Sequence, residues 1–199
     1  MSIKEILRES RERLAAARVD RVDAELLLAH VLGVGRMDLH ARDFLLTPEQ
    51  RELLDELVDA RISGVPTQYL TGEAPFRYLT FSVGPGVLIP RPETEELVEW
   101  IIEWQQINKS TNQPKILDIG TGSGCIAISL ANNIPDSEVF AIDISEKALD
   151  VAKKNAILNK VPVTMLHKNI LETTDLNQKF DIIVSNPPYV RNIEKAEIK

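Results

Sequence analysis

Lys115-Ile116-Leu117-Asp118-Ile119-Gly120-Thr121-Gly122-Ser123-Gly124 decides the fold. An apolar run holding one acid passes into a loop with glycine at every second position, and a helical pattern follows from Cys125 to Ala131. Glycine lets a backbone turn sharply and approach a ligand, because no Cβ stands in the way. Downstream, Glu138–Asp143 and Val163–His167 read as strands, and 145–158 reads as a helix with Ser145 as a possible cap. Phe180-Asp181-Ile182-Ile183-Val184-Ser185 is a further strand pattern that ends in a stiff polar turn, Asn186-Pro187-Pro188-Tyr189. Apolar runs without polar alternation imply strands covered on both faces. Strand–helix alternation implies an α/β architecture, a doubly wound parallel sheet with right-handed crossovers. Such sheets bind ligands at the carboxyl ends of their strands. The glycine loop, Asp143, the Asn169 region and Asn186 all fall at that edge.

The loop reads G-x-G-x-G rather than the G-x-G-x-x-G of dinucleotide binders. Asp143 closes the second strand, 23 residues after Gly120, where an acid can accept hydrogen bonds from both hydroxyls of a ribose. A ribose without a pyrophosphate fits S-adenosylmethionine. Asp118 either helps to hold that cofactor's ammonium group or braces the loop. Cys125 reads as a small packing residue.

Asn186-Pro187-Pro188-Tyr189 points to the methyl acceptor. A planar amide or exocyclic amine is a poor nucleophile because its lone pair is delocalised. Hydrogen-bond acceptors aimed at the NH2 group hold it and favour a pyramidal nitrogen. The Asn186 side-chain oxygen is one such acceptor and the Pro187 carbonyl another. Two prolines remove two N–H donors and fix φ, so the turn presents oxygens in a rigid frame. Tyr189 can pack over the planar group.

Residues 1 to about 72 read as a helical bundle. Ser2 with Glu5, and Thr47-Pro48 with Gln50, have the pattern of capping boxes. Helices are expected over 3–14, 22–32, 37–42 and 48–62, the second stopped by Gly33 and the last by Gly64. A β-hairpin linker is expected over 73–90, with strands at Tyr78–Val83 and Val87–Ile89 around Gly84-Pro85-Gly86. Pro90-Arg91-Pro92-Glu93-Thr94-Glu95 then leads stiffly into a helix, and residues 91–199 form the α/β domain.

Composition bounds the rest. The chain has 199 residues, 44% hydrophobic and 27% charged, with a net charge of −7. These are values of a globular protein, and the negative charge argues against broad electrostatic binding of nucleic acid. No apolar segment is long enough to span a bilayer, and the first residues lack the apolar core of a secretory signal. One cysteine and three scattered histidines exclude an internal disulfide and give no metal constellation. A cytoplasmic monomer is expected, with no direct contact with nucleic acid or membrane. One feature stands apart. Residues 1–100 hold 11 Arg, 1 Lys and no Asn, whereas residues 101–199 hold 1 Arg, 10 Lys and 10 Asn. Arg and Lys are near-synonyms on a solvated surface, so the break is read as two sequences of different codon bias joined near residue 100, with chance plus a difference between domains as the alternative. Uniform G+C content of the coding DNA across that point would refute it.

Gln68-Tyr69-Leu70-Thr71-Gly72, Leu88–Glu95, Asp118–Gly124 and Asn186–Tyr189 occur in this order. Together they resemble the peptide chain release factor N(5)-glutamine methyltransferase family (HemK/PrmC), and the resemblance spans the whole chain. It implies a Rossmann-like class I methyltransferase sheet and methyl transfer from S-adenosylmethionine to the glutamine of the Gly-Gly-Gln motif in class 1 release factors. It also implies cofactor contacts from Gly120, Thr121, Gly122, Ser123, Gly124, Asp143 and Asn186, and a glutamine clamp made by Asn186, Pro187, Pro188 and Tyr189. The family often has an acid where Asn169 stands, near the adenine; Asn169 can still accept from the adenine amino group, and Ile170 would pack against the ring. Sheets of this type have more strands than the four legible here, so the chain is expected to be the N-terminal part of a longer protein. A DNA or RNA adenine methyltransferase shares Asn-Pro-Pro-Tyr and is the alternative activity; a non-catalytic fragment that keeps the fold is the other.

Overall fold

The computed structural model describes residues 2–108 and 113–187. The chain divides into two compact units between Glu73 and Ala74.

The first unit is helical: α1 (Ile3–Ala16), α2 (Asp23–Leu32), α3 (Asp38–Ala41), α4 (Pro48–Ile62) and α5 (Thr67–Thr71). Both capping boxes form. The Ser2 hydroxyl accepts from the Glu5 N–H while the Glu5 carboxylate accepts from the Ser2 N–H, and Thr47 and Gln50 repeat the exchange at α4. Each such cap satisfies amides that the helix itself cannot pair. Gly33 ends α2 in the left-handed conformation at φ 65°, which costs glycine little. Leu14, Leu27, Leu28, Leu54 and Val58 have no exposed surface and form the centre of the core, with Leu70 packed against it. Glu25 is buried beside that core and is held by the guanidinium groups of Arg11 and Arg36. Helix α5 was not expected, because five residues are too few to show a helical period.

The second unit opens with a hairpin of β1 (Glu73–Phe76) and β2 (Leu79–Ser82). This corrects the sequence reading. Val87–Ile89 is not a strand, and the first strand lies earlier, in Glu-Ala-Pro-Phe, where Pro75 hides the β pattern. The turn is Arg77-Tyr78, both left-handed, with φ of 45° and 65°. That is the conformation of a type I′ turn, which normally takes Asn or Gly. Here α6 (Pro92–Asn108) holds it: the Arg77 N–H donates to Glu95 at 3.2 Å and the guanidinium pairs with Glu99. Phe76 and Phe81 meet edge to face across the hairpin, at 6.0 Å between ring centroids.

Alternation follows as expected: β3 (Lys115–Ile119), α7 (Cys125–Asn133), β4 (Glu138–Asp143), α8 (Glu146–Leu158), β5 (Thr164–His167) and β6 (Ile182–Ser185). The strands are parallel in the order β5-β4-β3-β6. Ile116, Leu117 and Asp118 are successive and all buried, as a strand covered on both faces requires. The chain walks from β3 outward to β5, then returns to the other side of β3 with β6. The order therefore reverses at the β3/β6 boundary, the point where open α/β sheets hold ligands. The shift from Arg to Lys and Asn falls between Arg91 and Asn108, over α6. It does not coincide with the division between the two compact units.

Candidate functional site

Strand register gathers the candidate residues. Ile119 pairs with Ile142 on one side and with Ser185 on the other. Gly120, Asp143 and Asn186 therefore leave three neighbouring strand ends side by side. Asn169 follows β5, the next strand along.

The glycine loop is pinned by its own amides. Gly120 and Thr121 donate to the Ile142 carbonyl at 2.8 and 3.0 Å, and Gly122 donates to Asp143 Oδ2 at 2.9 Å. The other Asp143 oxygen accepts from the Ser145 N–H at 2.9 Å. Asp143 is thus locked between two backbone amides. A carboxylate offers about four lone-pair sites, so two bonds leave it able to accept a pair of hydroxyls.

The three glycines do different work. A Cβ on Gly120 (φ 74°) or Gly122 (φ 56°) would meet nothing within 4 Å, so both border open space. A Cβ on Gly124 would lie 2.9 Å from Ile128 Cδ1 and 3.1 Å from Ala152 Cβ. Gly124, expected beside the cofactor, is the position where α7 packs closely on α8. Thr121 and Ser123 are buried, so the loop faces outward mainly through its backbone.

Asp118, read as holding an ammonium group or bracing the loop, has no exposed surface and accepts from the Thr121 hydroxyl at 2.6 Å. Burial pushes its carboxyl up to about 6, and the nearby charge of Asp143 adds to this; the Thr121 hydroxyl and the Ala127 N–H oppose it. This is the geometry of a brace. Cys125 is buried and its thiol is pushed up to about 12, first by burial and then by Asp118. Reactive cysteines have lowered values, so Cys125 is a packing residue.

Asn186 is half-buried, and its Nδ2 donates to Thr94 Oγ1 in the first turn of α6, at 3.0 Å. Ser185 before it donates through its hydroxyl to the Ile119 carbonyl at 2.8 Å, tying the end of β6 to the start of the glycine loop. Pro187 is exposed; Pro188 and Tyr189 lie outside the described residues. Asn169 spends its side-chain oxygen on the Leu171 N–H at 3.1 Å, and Ile170 is half-buried.

Two residues escaped the sequence reading. One is Thr94, whose partner is 92 positions away. The other is Asn155, fully buried on α8, which joins Ser82 of the hairpin to Ser123 of the glycine loop. A polar residue inside the stripe Leu149, Ala152, Ala156 was the available signal.

The architecture has counterparts among known proteins. The profile of the PrmC N-terminal domain matches residues 5–72, and that of the methyltransferase small domain matches residues 104–198. A release factor glutamine methyltransferase of Chlorobaculum tepidum aligns with 100% of this chain at 39% identity, over 71% of its own length. The chain belongs to the release factor glutamine methyltransferase family. A Flavobacterium psychrophilum member is 65% identical over 133 residues, 67% of this chain and 47% of that protein. A Bacteroides thetaiotaomicron member is 42% identical over 87% of this chain and 62% of its own length. The chain thus spans about half to two thirds of the length of these two family members. Among solved structures, a 16S rRNA methyltransferase of T. thermophilus, in complex with AdoMet and guanosine, superposes with a TM-score of 0.51. It is 26% identical and covers 60% of this chain and 33% of that one.

Proposed function

We propose that this chain carries the cofactor and acceptor sites of an S-adenosylmethionine-dependent methyltransferase acting on the glutamine of the Gly-Gly-Gln motif in class 1 release factors. The observation that carries this reading is the convergence, at the reversal of strand order, of an open glycine loop, a pinned acid and an asparagine amide. Gly120 and Gly122 leave room for a ligand against their backbone. Asp143 can accept from both ribose hydroxyls. Asn169 and Ile170, which follow β5, are read as the contacts to the adenine. S-adenosylmethionine, when bound, supplies a methyl group on a sulfonium leaving group. The side-chain oxygen of Asn186 and the carbonyl of Pro187 accept from the acceptor's NH2 group, holding its nitrogen in line with the methyl carbon. The methylated nitrogen sheds its proton to water after transfer, so no general base is needed before attack. Orientation of this kind supplies up to about 7–11 kcal/mol of a barrier. In the sequence Pro188 and Tyr189 continue this clamp.

The match over residues 5–72 favours a release factor over a nucleic acid as substrate, as does the net charge of −7. Among the described residues no helix is long and apolar enough to cross a membrane. A monomer working in the reducing cytoplasm is the setting this reading takes. The test is to incubate the chain with isotope-labelled S-adenosylmethionine and purified release factor and to map the label by mass spectrometry. Label on the Gly-Gly-Gln glutamine is expected; cofactor binding without label on that residue would refute the acceptor. Asp143→Ala should weaken cofactor binding measured by calorimetry, and unchanged affinity would move the ribose contact elsewhere.

A further inference from the structure

We infer that Thr94 is a positioning residue for methyl transfer: its hydroxyl sets the orientation of the Asn186 amide. The inference deepens the proposed function and rests on Asn186 being the acceptor clamp. Asn186 follows β6 and Thr94 lies in the first turn of α6, and the link between them is the 3.0 Å bond from Asn186 Nδ2 to Thr94 Oγ1. An asparagine amide presents two donors on one end and an acceptor on the other. Rotated by half a turn, it would offer N–H groups to an incoming NH2 and repel it. The Thr94 hydroxyl accepts from Nδ2 at 3.0 Å and so holds the nitrogen end of the amide toward α6; Oδ1 is the other end.

Three features make Thr94 suited to this. It is only 7% exposed, so its hydroxyl is shielded from competing water. Its backbone is held, with its N–H donating to the Arg91 carbonyl at 3.0 Å and prolines at 90 and 92 restricting the approach to the helix. Threonine is also a weak helix former, and serine, its nearest relative, has the same hydroxyl. The Pro90–Glu95 segment, conspicuous in the sequence without a chemical role, thereby acquires one.

The test compares Thr94→Val, which keeps the shape and removes the hydroxyl, with Thr94→Ser, which keeps the hydroxyl. The first readout is the side-chain NH2 resonance pair of Asn186 in a 15N spectrum, assigned by its loss in Asn186→Asp. Thr94→Val should shift this pair and speed its exchange with water, while Thr94→Ser leaves it close to wild type. The second readout is turnover. Thr94→Val should lower kcat by about 10–100-fold with little change in KM for the release factor, as misplacement of a positioning group does. Thr94→Ser should restore most of the rate, and S-adenosylmethionine affinity should hold within threefold in both. An unchanged Asn186 resonance in Thr94→Val, or a wild-type kcat in it, overturns the assignment. If the wild-type chain transfers no methyl group at all, the proposed function fails, and the resonance arm still decides whether Thr94 orients Asn186.

Discussion

The side chain of Asn155 donates through Nδ2 to the Ser123 carbonyl at 2.8 Å, from a position with no exposed surface. The same amide exchanges bonds with Ser82, donating to its carbonyl at 3.0 Å and accepting from its N–H at 2.6 Å. One residue of α8 therefore closes the open edge of the hairpin and fastens the last peptides of the glycine loop. Asn159, one turn on, donates to the Thr80 carbonyl at 2.9 Å and extends the seam. The helix that follows β4 thus also supplies the missing partner of β2.

Asn155→Ala should destabilise the second unit by about 2–4 kcal/mol, since it leaves a buried carbonyl of Ser123 and part-buried backbone groups of Ser82 without this partner, a buried group costing roughly 1–3 kcal/mol. A fall in the urea midpoint with an unchanged slope would report it. A loss below about 0.5 kcal/mol would mean that water takes over the three bonds. Asn159→Ala, on an exposed bond, should cost far less.

Much of this was legible, and the failures have physical causes. The parallel sheet, and the gathering of Gly120, Asp143 and Asn186 at neighbouring strand ends, follow from uninterrupted apolar runs and from the positions of those residues. The helical caps follow from local rules in which Ser2 and Thr47 meet partners three residues away. The hairpin was misplaced because Gly84-Pro85-Gly86 has the composition of a turn, while the real turn puts Arg77 and Tyr78 at positive φ through contacts with a distant helix. Gly124 looked like its neighbours in the loop, yet its lack of a side chain serves Ile128 and Ala152. Thr94 and Asn155 act on partners 92 and 32 or 73 positions away, and no periodicity carries that information.

Gly122→Ala and Gly124→Ala should separate ligand space from packing space. Both glycines have positive φ, so each substitution carries strain of about 1–3 kcal/mol. Only Gly124→Ala adds overpacking, against Ile128 and Ala152, worth roughly another 1–3 kcal/mol. It should unfold at the lower urea concentration. Gly122→Ala should lose more S-adenosylmethionine affinity relative to its stability loss, because its new methyl group enters the open space beside the loop. Equal affinity losses at equal stability would place the ligand elsewhere.

Asp118 predicts an unusual pH dependence. Unfolded, its carboxyl titrates near its ordinary value of 3.8; folded, burial raises it to about 6. Between these values the folded chain binds more protons than the unfolded one, so this group's contribution to stability falls as pH rises through the window. It is fully present below pH 4 and lost above pH 6, a change of at most about 3 kcal/mol. Asp118→Asn keeps an oxygen for the Thr121 hydroxyl but cannot ionise. The difference between the two stability curves should therefore grow in favour of Asp118→Asn from pH 4 to pH 6 and stay level above. Parallel curves would show that Asp118 is ionised in the folded chain throughout this range.

The helical unit should matter for the protein substrate and not for the cofactor. Its core is self-contained, running from Ile3 to Val58 with Leu70 packed on it, and none of the residues converging on the strand ends belongs to it. A single glutamine side chain buries little area, and specific protein complexes need roughly 800 Å² on each partner. A release factor must then be gripped away from the modified loop, and the helical unit, which matches the PrmC N-terminal domain over residues 5–72, is the candidate for that grip. Removing residues 1–73 should leave S-adenosylmethionine affinity nearly intact. It should raise KM for intact release factor by about 10-fold or more, the equivalent of losing about 1.4 kcal/mol of binding, and raise KM for a short Gly-Gly-Gln peptide little. Equal losses for factor and peptide would make the helical unit a folding scaffold, because a recognition arm cannot act on a substrate too small to reach it.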